Sequence, residues 1–140
     1  VDGDGRRSIY QEIRRNAHNP FLEVFDLPKP ATTRGQRDAT NVPAQSLALL
    51  NSPFVICQAV EWGRRLAAGE ATSVDSRITH MFLKALTREP TDEERNRVTE
   101  YVRAVAADHG TSSDLLMYGA RVWQDVAHSL FNVKEFIFIP

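Results

Sequence analysis

With 140 residues, 42% apolar and 25% charged, the chain has the composition of one globular domain, long enough to bury about two-thirds of its unfolded surface. A net charge of −1 supplies no broad field for nucleic acid or an anionic membrane, and no apolar run approaches the roughly 20 residues needed to span a bilayer. The lone cysteine, Cys57, excludes an internal disulfide and a cysteine-based zinc site.

The chain begins at Val1 rather than Met, so a piece of a longer polypeptide is expected, with any leader upstream of it. Asp2-Gly3-Asp4-Gly5 has the alternating carboxylates of a calcium loop. Arg6 then takes the next ligand position and Ile13 the closing one, so it reads as an acidic arm. Ser8, with Gln11 three residues on, caps an expected helix over Ser8–Asn16. Its Arg6-Arg7 and Arg14-Arg15 pairs read as a solvated face, diluted by Glu12 and nearby aspartates.

Asn19-Pro20 predicts a one- or two-turn helix through Phe25, because proline's missing N–H costs nothing at the first helical position. Pro28 and Pro30 are expected to end it. The stretch Pro28–Val42 is long, irregular and rich in Thr, Arg and Pro. A connection of that kind in a compact domain is functional or pinned by polar contacts.

Pro43 should open the next helix, which Ser52-Pro53 interrupts. Gln45 and Asn51 interrupt the inner stripe of that helix, where polar groups must be paired or do chemistry. Past the break, Val55, Ala59, Trp62 and Leu66 recur at helical spacing up to Gly69. Cys57 falls among apolar residues there and reads as a core thiol.

Ser73 caps a helix with Ile78, Met81, Phe82, Ala85 and Leu86 on one face, expected to end at Pro90. Thr91-x-x-Glu94 is a capping box for a helix that buries Val98, Tyr101, Val102 and Val105 and stops at Gly110. Ser112 or Ser113 is expected to cap a last long helix carrying Leu115, Leu116, Val122, Trp123, Val126 and Leu130. The closing Glu135–Pro140 reads as a helical turn or a docked strand. The expectation is therefore an all-α, compact single-domain bundle over 1–140, of about five to six helices with one long irregular loop.

His18, His80, His109 and His128 lie on different elements without an i,i+4 pair, a pattern of exposed or capping histidines rather than a metal site. Neither a C-x-x-C-H haem motif nor a G-x-S-x-G elbow is present, nor a glycine-rich phosphate loop. Arg34, Arg37, Thr40, Gln45 and Asn51 form the polar series around the long loop. Arg37 could receive an anion, but the favoured reading is that these groups tie loop backbone to the helix.

Several ordered segments carry a family resemblance. Arg6-Arg7-Ser8-x-Tyr10, Pro20-Phe21-x-x-x-Phe25-Asp26, Arg37-x-x-Thr40-x-x-Pro43-x-Gln45-x-Leu47-x-Leu49-x-Asn51 and Pro53-Phe54 come in order. Ala85-Leu86-x-Arg88-x-Pro90-Thr91-x-x-Glu94 and His128-x-Leu130-x-Asn132-x-x-Glu135-Phe136 follow. Together they resemble the planctomycete-specific C-terminal domain known as domain of unknown function 1553. The resemblance implies a C-terminal module of large periplasmic or secreted planctomycete proteins, preceded by cytochrome c-like and other domains. It implies no catalytic residue and no cofactor in this chain.

The expected function is thus a non-catalytic structural or interaction domain, with upstream domains of the same polypeptide or a cell-envelope protein as partners. Neither nucleic acid nor membrane insertion is expected. Phe21, Phe25, the long loop and Arg37 are its contact candidates, since loops on a rigid scaffold carry recognition. One alternative is an enzyme site completed by an upstream domain, with Arg37, Gln45 and Asp26 or Asp38 lining it. Another is a docking module for a cytochrome c-like domain.

Overall fold

A computed structural model of the chain describes residues 19–27 and 43–137. The expected Ser8–Asn16 helix, the Pro28–Val42 connection and the last three residues lie outside them. Among the described residues every regular element is helical: seven α-helices and one 3₁₀ helix. The all-α expectation holds. The chain divides into two compact units, Val1–Phe54 and Val55–Pro140.

In the first unit, α1 spans Pro20–Val24 and α2 spans Pro43–Asn51. The Asn19 side chain accepts from the N–H groups of Phe21 and Leu22, with Pro20 at the first position, as the sequence pattern requires. The helix ends earlier than its downstream prolines demand, because Asp26 turns into the left-handed region at φ 59°. The Phe21 ring packs on Phe25 and Phe54, with centroids 5.1 and 5.9 Å apart. Gln45 and Leu49 are the buried positions of α2.

The second unit begins within α3, Pro53–Ala68, and continues through α4, Val74–Leu86, and α5, Asp92–Asp108. A 3₁₀ helix, Ser113–Tyr118, precedes α6, Ala120–Phe131, and α7, Lys134–Ile137. Ile78, Met81, Val102, Val122, Trp123 and Ala127 are sealed from solvent and make the centre of the core. Each aliphatic side chain so buried is worth about 1.5–3 kcal/mol before the entropy of ordering is set against it.

Local signals place the ends of these helices. Ser73 and Ser76 form a reciprocal cap on α4, and Thr91 and Glu94 form one on α5. The α5 helix closes through Gly110 at φ 64°, with Gly110 N–H bonding the Ala107 carbonyl and Thr111 N–H the Ala106 carbonyl. That bond pair is a Schellman end, which needs a residue at home in the left-handed region. Pro90 does not end α4. The helix stops four residues sooner at Leu86, with Thr87 as a left-handed cap at φ 59°, and Pro90 is buried in the turn.

The last long helix expected from Ser112 or Ser113 is two elements. Gly119 separates the 3₁₀ helix from α6, and Ser112 makes no side-chain capping bond. Leu115 consequently faces solvent instead of the core. Tyr101, expected inside, is 40% exposed, and its hydroxyl oxygen accepts from Ser129 at 3.3 Å. The start of the Glu135–Pro140 segment belongs to the helical turn α7. Cys57 corrects the sequence reading as well: the thiol is exposed on the outer face of α3.

One glycine is dictated by packing. A Cβ on Gly63 would fall 2.5 Å from the Gln124 nitrogen and 2.7 Å from the Ala120 carbonyl oxygen. Helices α3 and α6 therefore meet backbone to backbone at this point, closer than any side chain allows.

Candidate functional site

Of the polar series singled out in the sequence, Arg34, Arg37 and Thr40 lie outside the described residues, as does Asp38. Gln45 is buried, and its side-chain amide donates to the Val24 carbonyl at 3.1 Å. It thereby closes an orphan acceptor at the end of α1. Asn51 does not interrupt an inner stripe: it is exposed, and its amide bonds back to the Leu47 carbonyl of its own helix at 3.0 Å. Phe21 and Phe25 are half-buried, packed on one another at a tilt of 51° within their own unit. The described members of the series are tied to backbone groups or to one another.

The strongest polar assembly surrounds Arg88 instead. Its Nε and Nη2 donate to the two Glu135 oxygens at 2.8 Å each, and its Nη1 and Nη2 donate to the two Glu94 oxygens at 2.8 and 2.7 Å. Nη1 also donates to the Glu89 carbonyl at 3.0 Å. All five N–H groups of the guanidinium are engaged. Bonds from Arg88, then from Thr91, hold the Glu94 carboxyl down to about 2, and Arg88 lowers that of Glu135. This assembly pins α7 to the α4–α5 turn. Two smaller links join the helices elsewhere along α5. Arg95 on α5 donates to Asp75 and Thr79 of α4, and His109 meets Asp125 across α5 and α6 at 2.7 Å.

Arg77 was not legible as a site residue and is the most unusual group in the unit. It is only 1% exposed, and no carboxylate of the described residues bonds it. Nη1 donates to the Met117 carbonyl, Nη2 to the Gly69 carbonyl at 3.4 Å, and Nε has no partner. The guanidinium carbon lies 4.9 Å from the centre of the Trp123 ring, a cation–π contact. Trp123 is held in turn by its Nε1–H bond to the Leu116 carbonyl at 3.0 Å. Burial pushes the Arg77 guanidinium below its ordinary pKa.

Arg77 lies in the wall of a cleft of about 610 Å³ between α3 and α4, within the range of ligand sites. Trp62 and Leu66 of α3 supply apolar surface, Gly69 lies in the connection, and His80 and Lys84 follow Arg77 on α4. Offsets of three and seven residues put these three side chains on one helix face. The cleft's other arginine, Arg65, is paired with Glu61, a carboxylate it shares with Arg64; Arg64 and then Arg65 hold that carboxyl down to about 2. Among the described residues Lys84 and His80 make no ion pair or hydrogen bond, and Glu70 is the one carboxylate lining the cleft. The Ser76 hydroxyl, also in the wall, is committed to the Ser73 cap. Such a wall can hold and orient an anion. The described residues contain no group of three or more metal-ligating side chains, and none of their helices is long and apolar enough to cross a membrane.

Fold and side-chain chemistry together define an all-helical protein cross-linked by arginine, with a cationic cleft in its second unit. The family model PSD1, described as a protein of unknown function (DUF1553), matches residues 1–102, and the chain belongs to that family. The match takes in Arg77, Arg88 and Glu94 but stops before Glu135. No curated protein and no solved structure matches the chain.

Proposed function

We propose that this chain is a non-catalytic recognition module, placed at the C-terminal end of a larger extracytoplasmic planctomycete protein. It carries no cofactor of its own on this reading, and it holds a neighbouring domain of that polypeptide or a cell-envelope protein. The observation that carries the proposal is the cleft, where Lys84 and His80, without an ion pair or hydrogen bond among the described residues, stand beside apolar Trp62 and Leu66. Mixed walls of that kind orient a ligand through few polar groups and bind it through apolar area. The Ser76 hydroxyl next to them is tied to the Ser73 cap, so it lacks the free hydroxyl–base pairing that nucleophilic catalysis requires. Gln45, a member of the alternative enzyme site, donates to a backbone carbonyl, which likewise favours binding over chemistry.

The test is a titration of isotopically labelled chain with the separately expressed neighbouring domains of the parent polypeptide. Chemical-shift changes concentrated at Trp62, His80 and Lys84 are expected. Unchanged signals at all three, with partner in excess, would refute the reading.

A further inference from the structure

We propose that the cleft beside Arg77 binds an organic carboxylate with an apolar body, its charged end against Arg77 and Lys84 and its body on Trp62 and Leu66. The inference rests on the recognition reading above and specifies its ligand.

Two arginines of the same unit carry the comparison. In Arg88 the Nε–Nη2 edge grips both oxygens of Glu135 at 2.8 Å each. In Arg77 that same edge is empty at Nε and holds only the Gly69 carbonyl, at 3.4 Å, through Nη2. Gly69 and Arg77 both line the cleft, and Nε itself is closed to solvent, so a ligand reaches this edge only by displacing the long Gly69 contact. Of the five N–H donors of Arg77, two have acceptors among the described residues.

A buried cation lacking a counter-charge is costly, because carbonyl dipoles and a π face replace its hydration only in part. An incoming carboxylate relieves that cost. It displaces the long bond from Gly69 and takes the planar Nε–Nη2 fork, whose geometry matches two oxygens. Lys84 adds a second, flexible positive charge, and among the described residues Glu70 alone opposes it. The ligand class follows from the rest of the wall. Inorganic phosphate would satisfy the fork but leave Trp62 and Leu66 uncovered, so the anion must bring apolar surface with it. Two sources share this chemistry: a free aromatic or aliphatic acid, and the terminal carboxylate of a peptide ending in an apolar residue.

Both tryptophans of the chain report on the site, since Trp62 lines the cleft and Trp123 faces Arg77. Fluorescence of the full chain is followed while phenylacetate, phenylacetamide, inorganic phosphate, and Ala-Ala-Phe with a free or an amidated C-terminus are added in turn. Saturable quenching by phenylacetate is expected, about tenfold or more tighter than by the uncharged amide, as a hydrogen-bonded charge provides. Lys84→Gln should weaken it about threefold at unchanged melting temperature, in line with one exposed charge. Arg77→Met should abolish it. Should that variant not fold, the acid–amide ratio and Lys84→Gln still decide.

Tighter binding of the free-ended peptide assigns the peptide source, tighter binding of phenylacetate the small acid, and either supports the carboxylate. Equal quenching by acid and amide overturns the carboxylate assignment and leaves a recognition cleft standing. Tighter binding of phosphate than of phenylacetate overturns it too. Absence of saturation by every probe at about 10 mM overturns the assignment, while the domain titration separately judges the recognition reading.

Discussion

Replacing Gly63 by alanine isolates the close crossing of α3 and α6. Propensity alone predicts a gain of about 1 kcal/mol, because alanine is the better helix former. The structure predicts a loss. The added methyl would lie 2.5 Å from the Gln124 nitrogen, 2.7 Å from the Ala120 oxygen and 2.8 Å from the Gln124 Cα, against 3.4 Å for ordinary contact. All three are backbone atoms, so no side-chain rotation relieves the clash, and α6 must retreat by about 1 Å from α3. A gap of that size forfeits a quarter to a half of the dispersion energy between the facing surfaces, which include Ala59, Leu66, Trp123 and Ala127. Overpacking costs about 1–3 kcal/mol and here belongs at or above the upper limit. Set against the propensity gain, the net loss is about 2–3 kcal/mol, or a fall in Tm on the order of 10 °C. Thermal unfolding followed by circular dichroism measures it. Gly69→Ala serves as the control, since its Cβ would meet nothing nearer than 3.4 Å, and its Tm should stay within about 2 °C of the parent. A rise in Tm for Gly63→Ala would refute the backbone crossing.

The α5 cap and its apparent counterpart downstream should respond differently. Thr91→Ala removes a reciprocal cap and should cost about 1 kcal/mol in urea unfolding, while Ser112→Ala removes no side-chain capping bond and should be near neutral. Glu94 gives a pH signature. Its carboxyl is held at about 2 in the fold against an ordinary 4.5, so its contribution is present above pH 4.5 and is lost as pH falls towards 2. Urea midpoints for the parent should drop across that window, and Glu94→Gln should flatten the drop; identical slopes would contradict the Arg88 network. Cys57 should react stoichiometrically with a thiol reagent in the native state, since it is exposed, and protection until unfolding would place it back in the core.

Elements marked by short-range signals were legible from sequence. Asn19-Pro20, Ser73, Thr91-x-x-Glu94 and Gly110 each fix a helix end through one or two local hydrogen bonds, and local rules suffice for those. Errors arose where a long-range contact decided. Val98, Tyr101, Val102 and Val105 share a helical stripe, but Tyr101 lies at its edge, and its hydroxyl reaches Ser129 of α6. The break between the 3₁₀ helix and α6 falls at Gly119, a residue the apolar periodicity passed over. Arg77 left a usable trace: it sits three residues after Val74 and four before Met81, the register of a buried position. Its partners, the Met117 and Gly69 carbonyls, are backbone atoms and have no signature in residue identity. The Arg88 network was half visible, because Arg88, Glu94 and Glu135 all belong to the motif pieces, yet nothing in their spacing brings residue 135 to residue 88.

The short helix α7 has four residues and buries none of them. A peptide that short does not hold a helical form in water. Its order is borrowed: Glu135 is clamped by Arg88, and the Phe136 ring leans on Phe131 at 5.2 Å. Acid that neutralises Glu135 removes the Arg88 tie and leaves the Phe136–Phe131 contact in place. The α7 turn thus has two ties of different chemistry, a charge at the α4–α5 turn and a ring against α6, and only the first depends on pH.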